Sequence, residues 1–170
     1  MRKELLVSID TELKLTDVIG KMLLANEYNS SNSVIVTVST DYSSIIAQIL
    51  RHQLSVGGEI CEGFGVDVPY PDQIWDDKFV NDFLFTFAMN SDTITDKNII
   101  LVEAGVIRGG NYTKCVDLIK TNLNRKEPIV TVTMFENIHS KFKSDFVGEY
   151  YDNEIQDLTF WWERENNHWK

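Results

Sequence analysis

The sequence predicts an α/β fold: a mostly parallel sheet flanked by helices. Three runs carry that prediction, VIVTV at 34–38, IILV at 99–102 and IVTVTM at 129–134. They are apolar or β-branched throughout rather than alternating, as strands buried on both faces are. Stretches of helical period lie between them, which makes βαβ units. At 170 residues the chain has the length of one domain, 1–170, and can bury a real core.

In chain order, residues 12–28 place Leu13, Leu15, Val18, Ile19, Met22 and Leu23 near helical spacing. NSSNS at 29–33 is a polar loop. After the first buried strand, STDY at 39–42 is a short loop with N-cap chemistry. Ile45, Ile46, Ile49, Leu50 and Leu54 then line one helix face, with Gly57-Gly58 as its stop.

The middle, 59–96, is irregular and carries Gly63, Gly65, Pro69 and Pro71. Within it Phe79, Val80, Phe83, Leu84 and Phe87 fit a helix, whereas Phe83, Phe85, Phe87 and Met89 fit a strand. Periodicity supports both, and the set is either core or a cover over a site. The second buried strand ends at Glu103. A glycine loop follows, and then a helix with Cys115, Val116, Leu118 and Ile119 turned inward. Pro128 precedes the third strand; Phe146-Val147 and 158–162 are late, shorter strand candidates. Ligands in such sheets sit beyond the carboxyl ends of the strands, which singles out loops 39–43 and 103–113.

Composition narrows the function classes. Hydrophobic residues are 43% and charged residues 25%, ordinary for a globular protein. A net charge of −10 argues against a general nucleic-acid binder, which needs Lys and Arg to neutralise phosphates. It admits an acidic surface that meets a basic protein partner. No run is apolar and long enough to span a membrane, and the opening MRKELLVSIDTEL lacks a signal-peptide core, so a cytoplasmic location is expected. Cys61 and Cys115 stand 54 positions apart without a CxxC and read as buried thiols; His52, His139 and His168 have no metal-ligand spacing.

Three stretches carry a family likeness: SVIVTVSTDYSSIIAQILRHQL at 33–54, IILVEAGVIRGGNYT at 99–113 and SDFVGEYYDNEIQDLTFWWE at 144–163. Together they resemble the type I phosphoribosyltransferases, most closely the purine and xanthine-guanine branch, over roughly residues 10–165. The resemblance implies a Rossmann-like sheet with a small hood, drawn from the N-terminus and parts of 59–96. It implies a ligand site of Thr40 and Asp41 in the pyrophosphate loop. Glu103, Arg108, Gly109, Gly110, Asn111 and Thr113 fall in the phosphosugar loop, and Phe146, Val147 and Trp162 around the base.

Within that likeness the chemistry departs from the family pattern. Ala104 replaces the second of two ribose-holding acids, and Ile107 stands where an acid near the base is expected. Asp41 would set a negative charge beside a pyrophosphate, a repulsion of about a few kcal/mol at ~4 Å. Trp161 replaces a proline, and Asp157 falls where a purine-stacking aromatic belongs. Transfer of a phosphoribosyl group depends on positioning and charge stabilisation. Losing several such contributions, each worth about 10²–10³ in rate, predicts an eroded site; Glu103 is the one catalytic candidate left.

The expected protein is therefore non-catalytic, an interaction or regulatory protein whose glycine loop is either a plain strand-to-helix turn or a remaining weak phosphate or nucleotide site. Its partners would be a protein or a second copy, met through the acidic surface or the aromatic tail of Phe160, Trp161, Trp162 and Trp169. An active purine-type enzyme using phosphoribosyl diphosphate is the alternative. No protein metal site is expected, and Mg²⁺ would enter only with that diphosphate.

Overall fold

The computed structural model describes residues 3–38, 43–69, 74–123, 127–152 and 155–160. Its elements run β1 (Lys3–Val7), α1 (Ile9–Ala25), β2 (Ser33–Val38), α2 (Ser43–Gln53), β3 (Gly63–Val66), α3 (Asp77–Met89), α4 (Ser91–Ile94), β4 (Asn98–Val106), α5 (Gly110–Asn122), β5 (Ile129–Asn137), β6 (Phe146–Tyr151) and β7 (Ile155–Phe160). Five strands form one sheet in the order β3-β2-β4-β5-β6, every neighbouring pair parallel. The three runs of apolar residues are its three central strands, as expected of strands covered on both faces. Strands β1 and β7 pair in parallel as a separate two-stranded sheet.

Successive side chains of each strand feed opposite faces. Ile100, Val102, Val130, Val132 and Met134 pack with Ile19, Leu23, Ile46, Leu50 and Leu54 beneath α1 and α2. Val34, Val36, Ile99 and Leu101 pack with Phe83, Phe87, Tyr112, Cys115 and Ile119 beneath α3 and α5. Burial of each such side chain contributes about 1.5–3 kcal/mol, before the entropy of ordering it.

Several elements differ from the sequence expectation, each for a physical reason. Residues 77–89 are a helix because Asp76 caps it, accepting the Phe79 N–H at 3.0 Å, and because Phe83 and Phe87, one turn apart, face the sheet together at 5.0 Å. The same choice leaves Phe85 and Met89 exposed on the outer side. Helix α1 begins earlier than residue 12, where Ser8 accepts the Thr11 N–H. Of its expected apolar face, Leu13, Val18 and Met22 are exposed. Helix α2 ends at Gln53, before Gly57 and Gly58; those two take positive φ values of 65° and 85° in the following turn. Ile45 is exposed, while Ile46, Leu50 and Leu54 are buried. Strand β3 was hidden in GFGV: a Cβ on Gly63 would lie 2.6 Å from the Ile35 carbonyl oxygen, so glycine is what lets this edge strand close on β2.

The largest shift concerns the loop expected at 103–113. Strand β4 does not stop at Glu103. It continues to Val106, because the β5 ladder goes on offering partners: Glu103 pairs with Thr133, Gly105 with Phe135 and Val106 with Glu136. The loop shrinks to 107–109, and Asn111 and Thr113 belong to α5.

Candidate functional site

The β4–α5 junction lies at the carboxyl end of the central strand, where an open parallel sheet places ligands. Its turn rests on Gly109, at φ 78° and ψ 9°, which caps α5 in the left-handed region. Glycine is also needed sterically there. A Cβ would lie 2.2 Å from the Phe142 Cβ and 2.9 Å from the Ser140 Oγ, so the β5–β6 connection is pressed onto this residue. No side chain caps α5. Its first-turn N–H groups take no side-chain cap and lie at the positive end of the helix dipole, an arrangement that can hold an anion. Gly110 has open space around its Cβ position, and Arg108 is exposed and makes no ion pair among the described residues.

The two polar residues carried into the first turns of α5 are engaged within the protein. Thr113 donates its hydroxyl to the Gly109 carbonyl at 3.0 Å. The Asn111 amide donates to the Pro69 carbonyl at 2.9 Å and accepts from the Trp75 indole N–H at 2.9 Å. Asn111 thus ties the chain before α3 to the start of α5. Trp75 in turn sits edge-on to Phe83, 5.9 Å between ring centroids.

Below the turn, Tyr112 fixes α5 to the sheet. Its ring stacks on Phe142 at 5.0 Å and 4°. Its hydroxyl lies between the carbonyls of Leu101, at 3.1 Å, and Val132, and its single proton serves one at a time. Burial first, and then the Glu103 charge, push this phenol well above its usual range.

Glu103 points toward this same layer from β4. Burial raises its carboxyl to about 8, against the N–H groups of Ala104 and Gly105 that stabilise the ionised form; the Ala104 N–H reaches Oε1 at 3.1 Å. In its protonated form the carboxyl can both donate and accept a hydrogen bond. Ala104 turns the other way and is packed into the α1/α2 core at 3% exposure. Ile107 is partly exposed in the loop.

The wall of the site is the connection 138–145. Asp145 clamps it, accepting the Thr131 N–H and hydroxyl, both at 2.8 Å, while the Thr131 hydroxyl oxygen accepts the Asp145 N–H at 3.0 Å. Buried Glu136 accepts the Ser144 N–H at 2.8 Å and pairs with Lys143 at 3.2 Å.

Not every expected site residue comes together here. Phe146 packs edge-on to Tyr28 at 6.2 Å, beneath α1, on the opposite face of the sheet from Tyr112. Val147 pairs with Thr133 on the edge strand β6. Thr40, Asp41 and Trp162 lie outside the described residues, as do Trp161 and Trp169. Sequence reasoning missed Trp75, Ser140 and Phe142. They come from distant segments, and only the glycine at 109 hinted at something packed close by. Among the described residues, no three His, Cys, Asp or Glu side chains converge as a metal site, and no helix is long and apolar enough to cross a membrane.

The sequence matches no protein-family model and no curated protein. The likeness is three-dimensional. The chain is similar to a purine phosphoribosyltransferase from Pyrococcus horikoshii, with a TM-score of 0.67, 16% identity and 94% of each chain covered. It is similar to a xanthine-guanine-hypoxanthine phosphoribosyltransferase from Helicobacter pylori, with a TM-score of 0.65, 14% identity, and 99% of this chain and 98% of that one covered. A hypothetical protein from Neisseria gonorrhoeae with bound ppGpp superposes with a TM-score of 0.64 at 14% identity, over 99% of this chain and 96% of that one. The chain has the type I phosphoribosyltransferase fold.

Proposed function

We propose that this protein binds a phosphate-bearing ligand, a nucleotide or phosphosugar, at the β4–α5 turn, and that it regulates or interacts rather than transfers a phosphoribosyl group. One observation carries the reading: an uncapped helix N-terminus, opened by a left-handed glycine, with an exposed arginine beside it. The neighbour of the same fold that holds ppGpp supports it.

The acids that transfer needs do not surround this seat. Position 104 is a methyl group buried in apolar core, and position 107 is aliphatic. Glu103, held largely uncharged near neutral pH, orients a hydroxyl better than it holds a cation. The residues present therefore do not fit a protein-held Mg²⁺, and the ion would arrive only as part of a diphosphate complex. The chain reads as a single unit, 1–170, with its small hood drawn from the N-terminus, where β1 pairs with β7, and from parts of 59–96. The alternative, an active purine-type transferase, is favoured by the phosphoribosyltransferases that share the fold.

Thermal unfolding with phosphoribosyl diphosphate, purine monophosphates, ppGpp and pyrophosphate tests binding, since a ligand of the native state must raise the melting temperature. A flat response at millimolar ligand removes the reading. Release of pyrophosphate from phosphoribosyl diphosphate in the presence of a purine base would replace it with the transferase.

A further inference from the structure

We propose that the outer face of α3, centred on Phe85 and Met89, is a docking surface for a basic amphipathic segment of a partner protein. It rests on the interaction half of the reading above, to which it gives a surface, and is independent of the phosphate half.

The first observation is apolar. Ile74, Phe85 and Met89, at 83%, 65% and 69% exposure, are the three most exposed large apolar side chains among the described residues, and all fall within 74–89. Phe83 and Phe87 turn to the sheet, two positions to either side of Phe85, so Phe85 points directly away from it. Met89 follows one turn later on the same side. Asp76 caps this helix and the Phe83–Phe87 contact pins it, so the pair is held out on a fixed element rather than on a loop. Folding does not account for the two residues, since both are left largely open and glutamine would serve the helix as well. Single exposed apolar residues are ordinary, but an adjacent pair this open marks a contact surface.

The charge around the pair selects the occupant. Asp76, Asp77, Asp82, Asp92 and Asp96 are all exposed, and none pairs with a cation among the described residues. Lys78 is the one cation of residues 76–96. Asp82 stands one turn before Phe85, and Asp92 follows Met89 in α4, so acid flanks the apolar pair on both sides along the chain. A second copy would bring the same aspartates against their counterparts, and a membrane surface carries anionic lipid, so both are repelled. A segment with Lys or Arg around apolar anchors is attracted, and an amphipathic helix repeats its anchors at the one-turn spacing of Phe85 and Met89.

The probe is a fluorescein-labelled helical peptide of leucine and lysine, with leucine at i, i+3, i+4 and i+7, titrated with the full chain and followed by fluorescence anisotropy. The main variant is Phe85→Gln with Met89→Gln. The expected result is saturable binding by the wild type, weakening as salt is raised, and affinity about tenfold lower in the variant at an unchanged melting temperature. Asp82→Asn with Asp92→Asn should flatten the salt dependence. Equal binding by the wild type and the glutamine variant overturns the proposal, as does an unchanged salt dependence in the asparagine variant. Equal binding of a peptide of the same composition in scrambled order also overturns it, since charge alone would then account for the affinity. A wild type that sediments as a dimer beside a monomeric glutamine variant assigns the face to a second copy. Binding to phosphatidylglycerol vesicles that this variant loses assigns it to a membrane. Either result replaces the basic segment. A wild type that binds no peptide removes this surface and leaves the phosphate reading, which thermal unfolding tests, untouched.

Discussion

Glu103 makes the stability of this protein depend on pH in a direction opposite to that of a salt-bridged carboxylate. Its carboxyl is raised from 4.5 to about 8, chiefly by burial. The folded state therefore holds a proton that the unfolded chain releases between those two values. Stability from this group is present in full below about 4.5 and is lost as pH rises to about 8. At about 1.4 kcal/mol per pH unit the ceiling is ~5 kcal/mol. The side chain is partly reached by solvent, so about 2–3 kcal/mol is the figure to test. In a chain of this length, that is a melting-temperature drop of roughly 5–10 °C.

Glu103→Gln removes the titration while keeping an oxygen for the Ala104 N–H and a donor in place of the acid proton. Melting curves of both proteins at pH 6 and pH 9 give the comparison. The wild type should lose several degrees more than the variant over that interval, and the variant should be the more stable protein at pH 9. Parallel losses in the two proteins would refute the reasoning, because the proton taken up on folding would then belong elsewhere.

Two further substitutions probe the turn. Gly109→Ala forces an L side chain into the left-handed region and onto Phe142. Unfolding in urea should show a loss of about 2–4 kcal/mol, with a lowered midpoint and little change in slope. Asn111→Ala frees the Trp75 indole and the Pro69 carbonyl. It should cost about 1–2 kcal/mol and shift tryptophan emission to the red, and an unshifted spectrum would show that the tie does not hold Trp75.

How much of this could be read beforehand follows the physics of each element. The central strands were legible because strands covered on both faces must be apolar at every position, and β2, β4 and β5 are. The glycine turn after β4 was legible because few residues other than glycine open a helix from the left-handed region. Strand β3 was not, since Gly63 answers to the backbone of β2 rather than to any strand propensity. Nor was the helix at 77–89: Phe83, Phe85 and Phe87 satisfy both periods, and contact with the sheet decides which ones go inside.

The site divides in the same way. The sequence by itself determined the parallel α/β layout, the glycine turn after the central strand and the aliphatic residues Ala104 and Ile107 beside it, all of them properties of neighbouring residues. Only the tertiary structure decided that Glu103 lies inside a strand with its proton retained, that Asn111 is spent on Trp75 and Pro69, and that Ser140 is brought against Gly109. Burial, ladder pairing and hydrogen-bond competition depend on segments that are remote in the chain and meet only when the sheet has formed.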